Sequence, residues 1–336
     1  HGLNPNKIKM VNVNNKVKVG ELSLEFIRVS HSIPDSCAIA VKSPVGTILF
    51  TGDFKMDFTP IDGDPTDIQR IAELGKKGLL ALYCDSTNVE RPGYSISERE
   101  VGDTFVRIFG QVSGRIIVAT FASNLHRVQQ IIYAAERYNR KVALSGRSMM
   151  NNVKIASDLG YLKVKNNTLI EMKNIKNYAD DEIVVLSTGT QGEPLSALTR
   201  MANGEHKQVH LNETDTVILS SSAIPGNEIA INNVINKLTR IGVNIVYSSL
   251  ARVHASGHAC QEEIKLMYQL ATPRFLIPAH GEARQLHTHE EIAVSMGMDK
   301  QNIYILENGD VIEFTKKSAS LAGKVQAGNV LVDGSG

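Results

Sequence analysis

The chain has 336 residues, 42% of them hydrophobic and 21% charged, the profile of a globular protein with room for one large domain or two ordinary ones. A net charge of +1 excludes a protein-wide basic field, so any nucleic-acid site has to be built locally. Tryptophan is absent and aromatic residues make up only 5%, which argues against an extended base-stacking surface.

The chain opens at His1 without methionine, and HGLNPNK (1–7) reads as a helix end running into a turn; a fragment of a longer protein is expected. No apolar run approaches the roughly 20 residues of a membrane span, and no signal peptide is present. Cys37, Cys84 and Cys260 are odd in number and far apart, without a CxxC, which points to a reducing cytoplasm.

LSLEFIRV (22–29) reads as a strand, and CAIAVKSPVGTILFTGD (37–53) as a hairpin turning at Pro44, Val45 and Gly46. A short helix over about 65–74 leads to the apolar run LLALYCD (79–85). From about Ile96 the rhythm changes. RIIVAT (115–120), KVAL (141–144), IVVL (183–186), TVIL (216–219) and VNIVY (243–247) are separated by amphipathic helices, one of them carrying Leu125, Val128, Ile131, Ile132 and Ala135. That alternation predicts a parallel sheet wrapped by helices. After Cys260 come a helix, RFLIPAH (274–280), a second helix, and IYIL (303–306) and VIEF (311–314) as further strands. Residues 98–260 are therefore expected to form an α/β domain set within a second domain built from 1–97 and 261–336.

Three apolar runs end on metal-ligand residue types: LEFIRVSH on His31, TILFTGD on Asp53 and RFLIPAH on His280. Ligands gather where strands leave an α/β sheet. Imidazole with carboxylate suits zinc, or manganese with more oxygen donors, and a carboxylate can bridge two ions. Singly each is an ordinary strand-end residue; the coincidence of three points to metal. Four turns, TFASN (120–124), SGRS (145–148), STGTQGEP (187–194) and SSSAIPGN (220–227), each open a helix. Free N–H groups at helix starts accept phosphate, and Arg147 adds a bidentate partner, although the same residue types are ordinary N-caps.

VHASGHACQEEI (253–264) sets His254 and His258 four residues apart. On a helix they would share a face as a zinc pair. Ser256 and Gly257 between them favour a loop, where two imidazoles and a hydroxyl suit holding a phosphate and delivering a proton. LHTHEEI (286–292) places His287 and His289 two apart on a surface helix, facing different directions, and both are read as solvated.

HSIPDS (31–36), GDFKMDFTP (52–60), CDSTNVERPG (84–93), TFASN, STGTQGEPLSALTRMANGEH (187–206), SSSAIPGNE (220–228), HASGHA (254–259) and PAHGE (278–282) together resemble the ribonuclease J family, the bacterial β-CASP branch of the metallo-β-lactamase fold. Retention of Asp53 aligns the chain with the catalytic rather than the degenerate paralogue. The resemblance implies an N-terminally truncated metallo-β-lactamase αββα sandwich over 1–97 and 261–336, and an inserted β-CASP parallel α/β domain over 98–260. It implies that His31 and His280 each bind one of two divalent ions (zinc first, manganese or magnesium as alternatives) bridged by Asp53. It assigns catalysis to His258 and Asp85. RNA contacts fall to Ser123, Asn124, Arg147 and Ser148, and to His254, Ala255, Ser256, Gly257 and His258.

The implied activity is metal-dependent hydrolysis of single-stranded RNA in cytoplasmic RNA processing and decay. It runs 5′ to 3′ with a preference for 5′-monophosphate ends, and includes internal cleavage. A homo-oligomer or paralogue hetero-oligomer without membrane contact is expected. The family's HxHxDH motif, the source of three more ligands and of the acid that positions the attacking water, does not occur in these residues, nor does the family's C-terminal domain. The chain alone is therefore expected to hold an incomplete site and to be inactive or nearly so. Two rivals remain: a noncatalytic RNA-binding module, and a small-molecule metallohydrolase, which has no need of the inserted domain.

Overall fold

Strands that are apolar along their whole length build the centre of this chain. IIVAT, IVVLS and TVILS are buried at every position, which requires cover on both faces and marks parallel strands between helical layers. The structure is a computed structural model that describes residues 8–13, 15–61, 63–224, 226–328 and 330; the HGLNPNK segment and Pro225 of the 220–227 turn lie outside the described residues.

In chain order the strands are β1 (Lys16–Val19), β2 (Leu22–Arg28), β3 (Cys37–Ser43), β4 (Gly46–Phe50), β5 (Leu79–Asp85), β6 (Ile116–Thr120), β7 (Lys141–Ser145), β8 (Leu169–Ile170), β9 (Ile183–Ser187), β10 (Thr216–Ser220), β11 (Asn244–Tyr247), β12 (Phe275–Ala279), β13 (Asp310–Phe314) and β14 (Ala319–Lys324). The first sheet runs β1-β2-β3-β4-β5-β12, and the second β11-β10-β6-β9-β7-β8. β1 to β4 pair antiparallel, whereas β4, β5 and β12 are parallel neighbours. Every pairing in the second sheet is parallel. The chain thus leaves the first sheet after β5, builds the whole second sheet, and returns as β12.

The helices are α1 (Ile68–Lys76), α2 (Glu98–Gln111), α3 (Leu125–Arg137), α4 (Arg147–Asp158), α5 (Ala197–Ala202), α6 (Glu228–Ile241), α7 (Gln261–Ala271) and α8 (Ala283–Ser295). One apolar core lies between the first sheet and α1 and α7, with Ile27, Leu49, Leu82, Ile71 and Met267 fully buried. Two more cover opposite faces of the second sheet. α2 is absent from the sequence reading, yet its pattern is regular: Ser97 accepts the Arg99 N–H as N-cap, and Val101, Phe105 and Phe109 are buried at four-residue spacing.

IYIL does not form the expected strand. It makes one parallel bridge, Leu276 to Ile303, with the Tyr304 N–H donating to the Leu276 carbonyl at 2.9 Å. The next outward-facing backbone group on β12 belongs to Pro278, which has no N–H to donate, so the ladder stops there. VIEF does form a strand, β13, paired with β14 rather than with the first sheet.

Candidate metal centre and phosphate-binding cleft

Parallel β4, β5 and β12 deliver their C-terminal ends to one edge, and that alone gathers three chemistry-bearing residues. β5 ends on Asp85, paired in register with Ala279 of β12, so His280 follows directly beside it. β4 runs through Thr51 and Gly52, which turns with φ +58°, to Asp53. His280 itself has φ +54°, a left-handed conformation that costs an L-residue energy and is kept where surrounding contacts enforce it. Here Thr87 does so, its hydroxyl oxygen lying 3.0 Å from both Nδ1 and the carbonyl oxygen of His280.

The side chains converge. His280 Nδ1 lies 3.2 Å from Asp53 Oδ1 and 3.4 Å from Asp85 Oδ1. His258 Nδ1 donates to Asp85 Oδ2 at 2.8 Å, and His31 Nε2 stands 3.7 Å from Asp53 Oδ2. One donor atom each from Asp53, Asp85, His258 and His280 lies within 4.8 Å of the other three. Ligand bonds near 2.0–2.2 Å put donors of one ion up to about 4 Å apart, so two carboxylates and two imidazoles within 4.8 Å need only a small inward shift to hold a divalent cation such as zinc or manganese.

Each member is held from behind. Thr87 donates its N–H and its hydroxyl to Asp85 Oδ1, at 3.0 and 2.7 Å. Burial works to raise the Asp85 pKa, but the hydrogen bonds with His258 and His280 outweigh it and hold the carboxyl well below its ordinary range. For His280 the hydrogen bond with Asp85 is the larger influence and raises the ring above its ordinary value. Burial dominates at His31 and lowers it. His31 Nδ1 is fixed by the Gly257 carbonyl at 2.7 Å, which leaves Nε2 turned toward Asp53. Such a backbone partner is how a ligating imidazole is commonly oriented. Only glycine permits the approach, because a Cβ at 257 would lie 2.6 Å from the His31 ring.

The 254–258 segment is a loop, not a helix. Asn88 Nδ2 donates to Ser256 Oγ at 2.7 Å and to the His258 carbonyl at 3.1 Å, pinning the loop across the end of β5. Beside the cluster opens a cleft of about 590 Å³ whose wall includes Ser123, Asn124, His254, Ala255, Ser256, Gly257, His258 and His280. Burial, then the Arg127 charge, pushes His254 down to about 3.

Two family models match the chain. Residues 113–238 match the ribonuclease J β-CASP domain, and residues 242–306 match a Zn-dependent metallo-hydrolase RNA specificity domain. A ribonuclease J of Thermus thermophilus is 45% identical over 338 residues, covering 100% of this chain and 59% of that protein. The ribonuclease J of Synechocystis is 45% identical, covering 98% and 52%, and that of Helicobacter pylori strain 26695 is 42% identical, covering 99% and 49%. The chain belongs to the ribonuclease J family. It spans between about half and three-fifths of the length of these relatives. A crystal structure of a protein of unknown function from Enterococcus faecalis V583 shares the fold, with a TM-score of 0.61 at 16% identity over 94% of this chain and 67% of that one. The architecture is that of the metallo-β-lactamase fold with a β-CASP insertion.

Within this ribonuclease J fold, the structure separates the anticipated residues. His31, Asp53, Asp85, His258 and His280 come together, and Ser123, Asn124 and residues 254–257 line the adjoining cleft. Arg147 and Ser148 do not line it. They are exposed at the start of α4, which follows β7, and β9 separates β7 from the β6 and β10 ends that flank the cleft. Strand order decides this, and the chain's periodicity does not encode it. Asn88 and Thr87 were overlooked inside the quoted CDSTNVERPG motif. Glu98 and Arg127 were overlooked too: both are buried, and hydropathy gives no signal that sets them apart from surface charges. Among the described residues no helix is long and apolar enough to cross a membrane.

His289 is a correction. His287 is exposed, but His289 is 1% exposed and exchanges a 2.8 Å hydrogen bond between its Nδ1 and Ser86 Oγ. It lies with Leu286 and Ala293 on the buried face of α8, a spacing of three and four residues that outranks the HxH pattern. Burial lowers its pKa to about 4. The unfolded ring, near 6.5, then binds more protons than the folded one, so stability is full above about pH 6.5 and falls as pH drops toward 4, by roughly 3 kcal/mol. His289→Gln is expected to flatten that stretch of the urea-midpoint-versus-pH curve; an unchanged slope would exclude His289 as its origin.

Proposed function

We propose that the chain carries part of the RNA-cleaving site of a metal-dependent ribonuclease acting 5′ to 3′ on single-stranded RNA with 5′-monophosphate ends, and internally when RNA threads the same cleft. The observation that carries this reading is the gathering of two carboxylates and two imidazoles at the floor of a cleft walled by phosphate-compatible N–H, hydroxyl and imidazole groups. His31 and His280 would each hold one of two divalent ions, zinc first, with Asp53 between them. Ions bound there supply neutralisation of charge on the phosphate and activation of water.

The residues' own work follows from their contacts. Asp85 can only accept, so His258 carries one hydrogen on Nδ1; a second proton, taken up on Nε2, is the one the ring would pass to the leaving oxygen, returning Nε2 to its bare state. Ser123, Ser256 and His254 would grip the terminal phosphate, and a fixed distance from that grip to the metal-ligand cluster would produce stepwise removal from a 5′ end. Arg147 and Ser148, outside the cleft, would meet RNA only beyond it. We place residues 98–260 as the RNA-holding insertion and 1–97 with 261–336 as the metal-holding domain, in a cytoplasmic enzyme that assembles with its own copies or a paralogue.

The test is turnover of a 5′-labelled oligoribonucleotide by a protein that carries this chain together with the HxHxDH motif, with zinc or manganese, before and after chelation; the chain alone is expected to be inactive or nearly so. Metal-dependent release of nucleotides, faster from monophosphate than triphosphate ends, is the expected result. RNA binding without metal-dependent cleavage would favour the noncatalytic module instead.

A further inference from the structure

Arg127 has no exposed surface, and the Glu98 carboxylate that pairs with it is 3% exposed. Nη2 donates to Glu98 Oε1 at 2.7 Å and Nε to Oε2 at 3.1 Å, a bidentate clamp between the start of α2 and the first turn of α3. The rest of the guanidinium is spent on the cleft wall. Nη1 donates to the Val253 carbonyl at 3.1 Å, to the Ser220 carbonyl at 3.3 Å and to the Ser220 hydroxyl. It also approaches His254 Nδ1 at 3.4 Å, while Nη2 reaches the Ala255 carbonyl at 3.4 Å. One buried side chain therefore touches three consecutive residues of the loop that carries His254.

We infer that Arg127 is a positioning residue that fixes His254 as a neutral ring with its hydrogen on Nε2, presented to the cleft as a hydrogen-bond donor for phosphate. A guanidinium has five donors and no acceptor, so the nitrogen facing it must offer a lone pair. A neutral imidazole with a bare Nδ1 carries its hydrogen on Nε2. The competing arrangement, a ring N–H donated to the Ser220 carbonyl, aims a hydrogen at an oxygen that already accepts from Arg127 and, at 3.3 Å, from the Thr120 hydroxyl. Carried on Nδ1, that hydrogen is also set against the guanidinium N–H. With Nδ1 turned inward, Nε2 is the nitrogen left for the cleft that His254 lines.

The two histidines of HASGH thus take opposite tautomers and different tasks. His258, with a carboxylate on Nδ1, exchanges a proton at Nε2; His254, with a guanidinium on Nδ1, donates a hydrogen bond and transfers nothing. This division rests on the phosphate-binding reading of the cleft, and two readouts keep the parts separable. Long-range ¹H–¹⁵N correlation spectra of histidine-labelled protein are expected to show His254 with an unprotonated Nδ1 and a protonated Nε2. Arg127→Lys, which keeps the charge on Glu98 but lacks the planar fork, is expected to convert that signal to a tautomer mixture and leave the His258 signal in place. Binding of a 5′-monophosphorylated oligonucleotide should weaken roughly 10- to 100-fold, the range for losing a hydrogen bond to a charged group. A protonated Nδ1 in the unaltered protein, or an unchanged tautomer in Arg127→Lys, overturns the inference. The inferred tautomer without any oligonucleotide binding leaves the positioning role standing and overturns the phosphate reading.

Discussion

In a protein that carries this chain together with the HxHxDH motif, replacing His258 with alanine is expected to lower RNA cleavage by about 10²–10⁴, the usual loss when a proton-transfer group is removed, with bound metal unchanged. The geometry behind this is the 2.8 Å hydrogen bond from Nδ1 to a carboxylate that is 3% exposed. Asp85 is anchored by Thr87 on one oxygen and committed to His258 on the other, so it sets both the tautomer and the tilt of the ring. Asp85→Asn should therefore reproduce much of the loss without removing the imidazole, since an amide can donate to Nδ1 and shift the hydrogen to Nε2. Metal content decides between two roles for the same ring. One nitrogen of His258 belongs to the donor cluster with Asp53, Asp85 and His280, and elemental analysis of His258→Ala reports whether it is a ligand. Loss of an ion together with activity would move His258 from proton transfer to coordination. Unchanged turnover would remove it from the reaction.

What the amino-acid order revealed and what it concealed divide along one physical line. Residues that follow a strand were legible, because a strand is announced by a short apolar run and the first residues beyond it gather at the sheet edge. His31, Asp53 and His280 were found that way, and Gly257 was a reliable sign that His254 and His258 occupy a loop. Adjacency between strands was not legible. Hence Arg147 and Ser148, at the end of β7, were grouped with Ser123 and Asn124, at the end of β6, although β9 intervenes. Nor did the HxH of α8 reveal that His289 faces inward, because a two-residue pattern carries less weight than the three- and four-residue spacing with Leu286 and Ala293. The strand pairing of IYIL failed for a different reason, the missing N–H of Pro278 on the neighbouring strand. Buried charge was the least visible feature. Lys55, Asp57, Glu98 and Arg127 are each at most 5% exposed, and nothing in hydropathy distinguishes them from surface charges.

Those four residues form a line between the two sheets, and cutting it at Glu98 is expected to destabilise the protein by about 3–5 kcal/mol. Lys55 Nζ binds Asp57 Oδ2 at 3.0 Å, Asp57 Oδ2 accepts the Glu98 N–H at 3.2 Å, and the Glu98 side chain clamps Arg127. Burial alone would raise the Glu98 carboxyl, but Arg127 outweighs it and holds the pKa below the ordinary value. The pair's contribution is accordingly present above the ordinary carboxylate range and is lost as pH falls through the depressed value. Glu98→Ala leaves a guanidinium with no exposed surface without its counter-charge, which is the costly way to break a buried pair. Replacing both partners with apolar residues, Glu98→Leu with Arg127→Met, removes the stranded charge and should cost less than Glu98→Ala alone. Urea midpoints followed by circular dichroism measure both. The double variant should still lose 5′-monophosphorylated oligonucleotide binding, because stability can be restored by apolar packing whereas the donor that orients His254 cannot. If Glu98→Ala costs less than about 1 kcal/mol, Arg127 has found water or another acceptor. The clamp would then be dispensable, and the rigidity of the 253–255 loop would have to come from Asn88 and Ser220 instead.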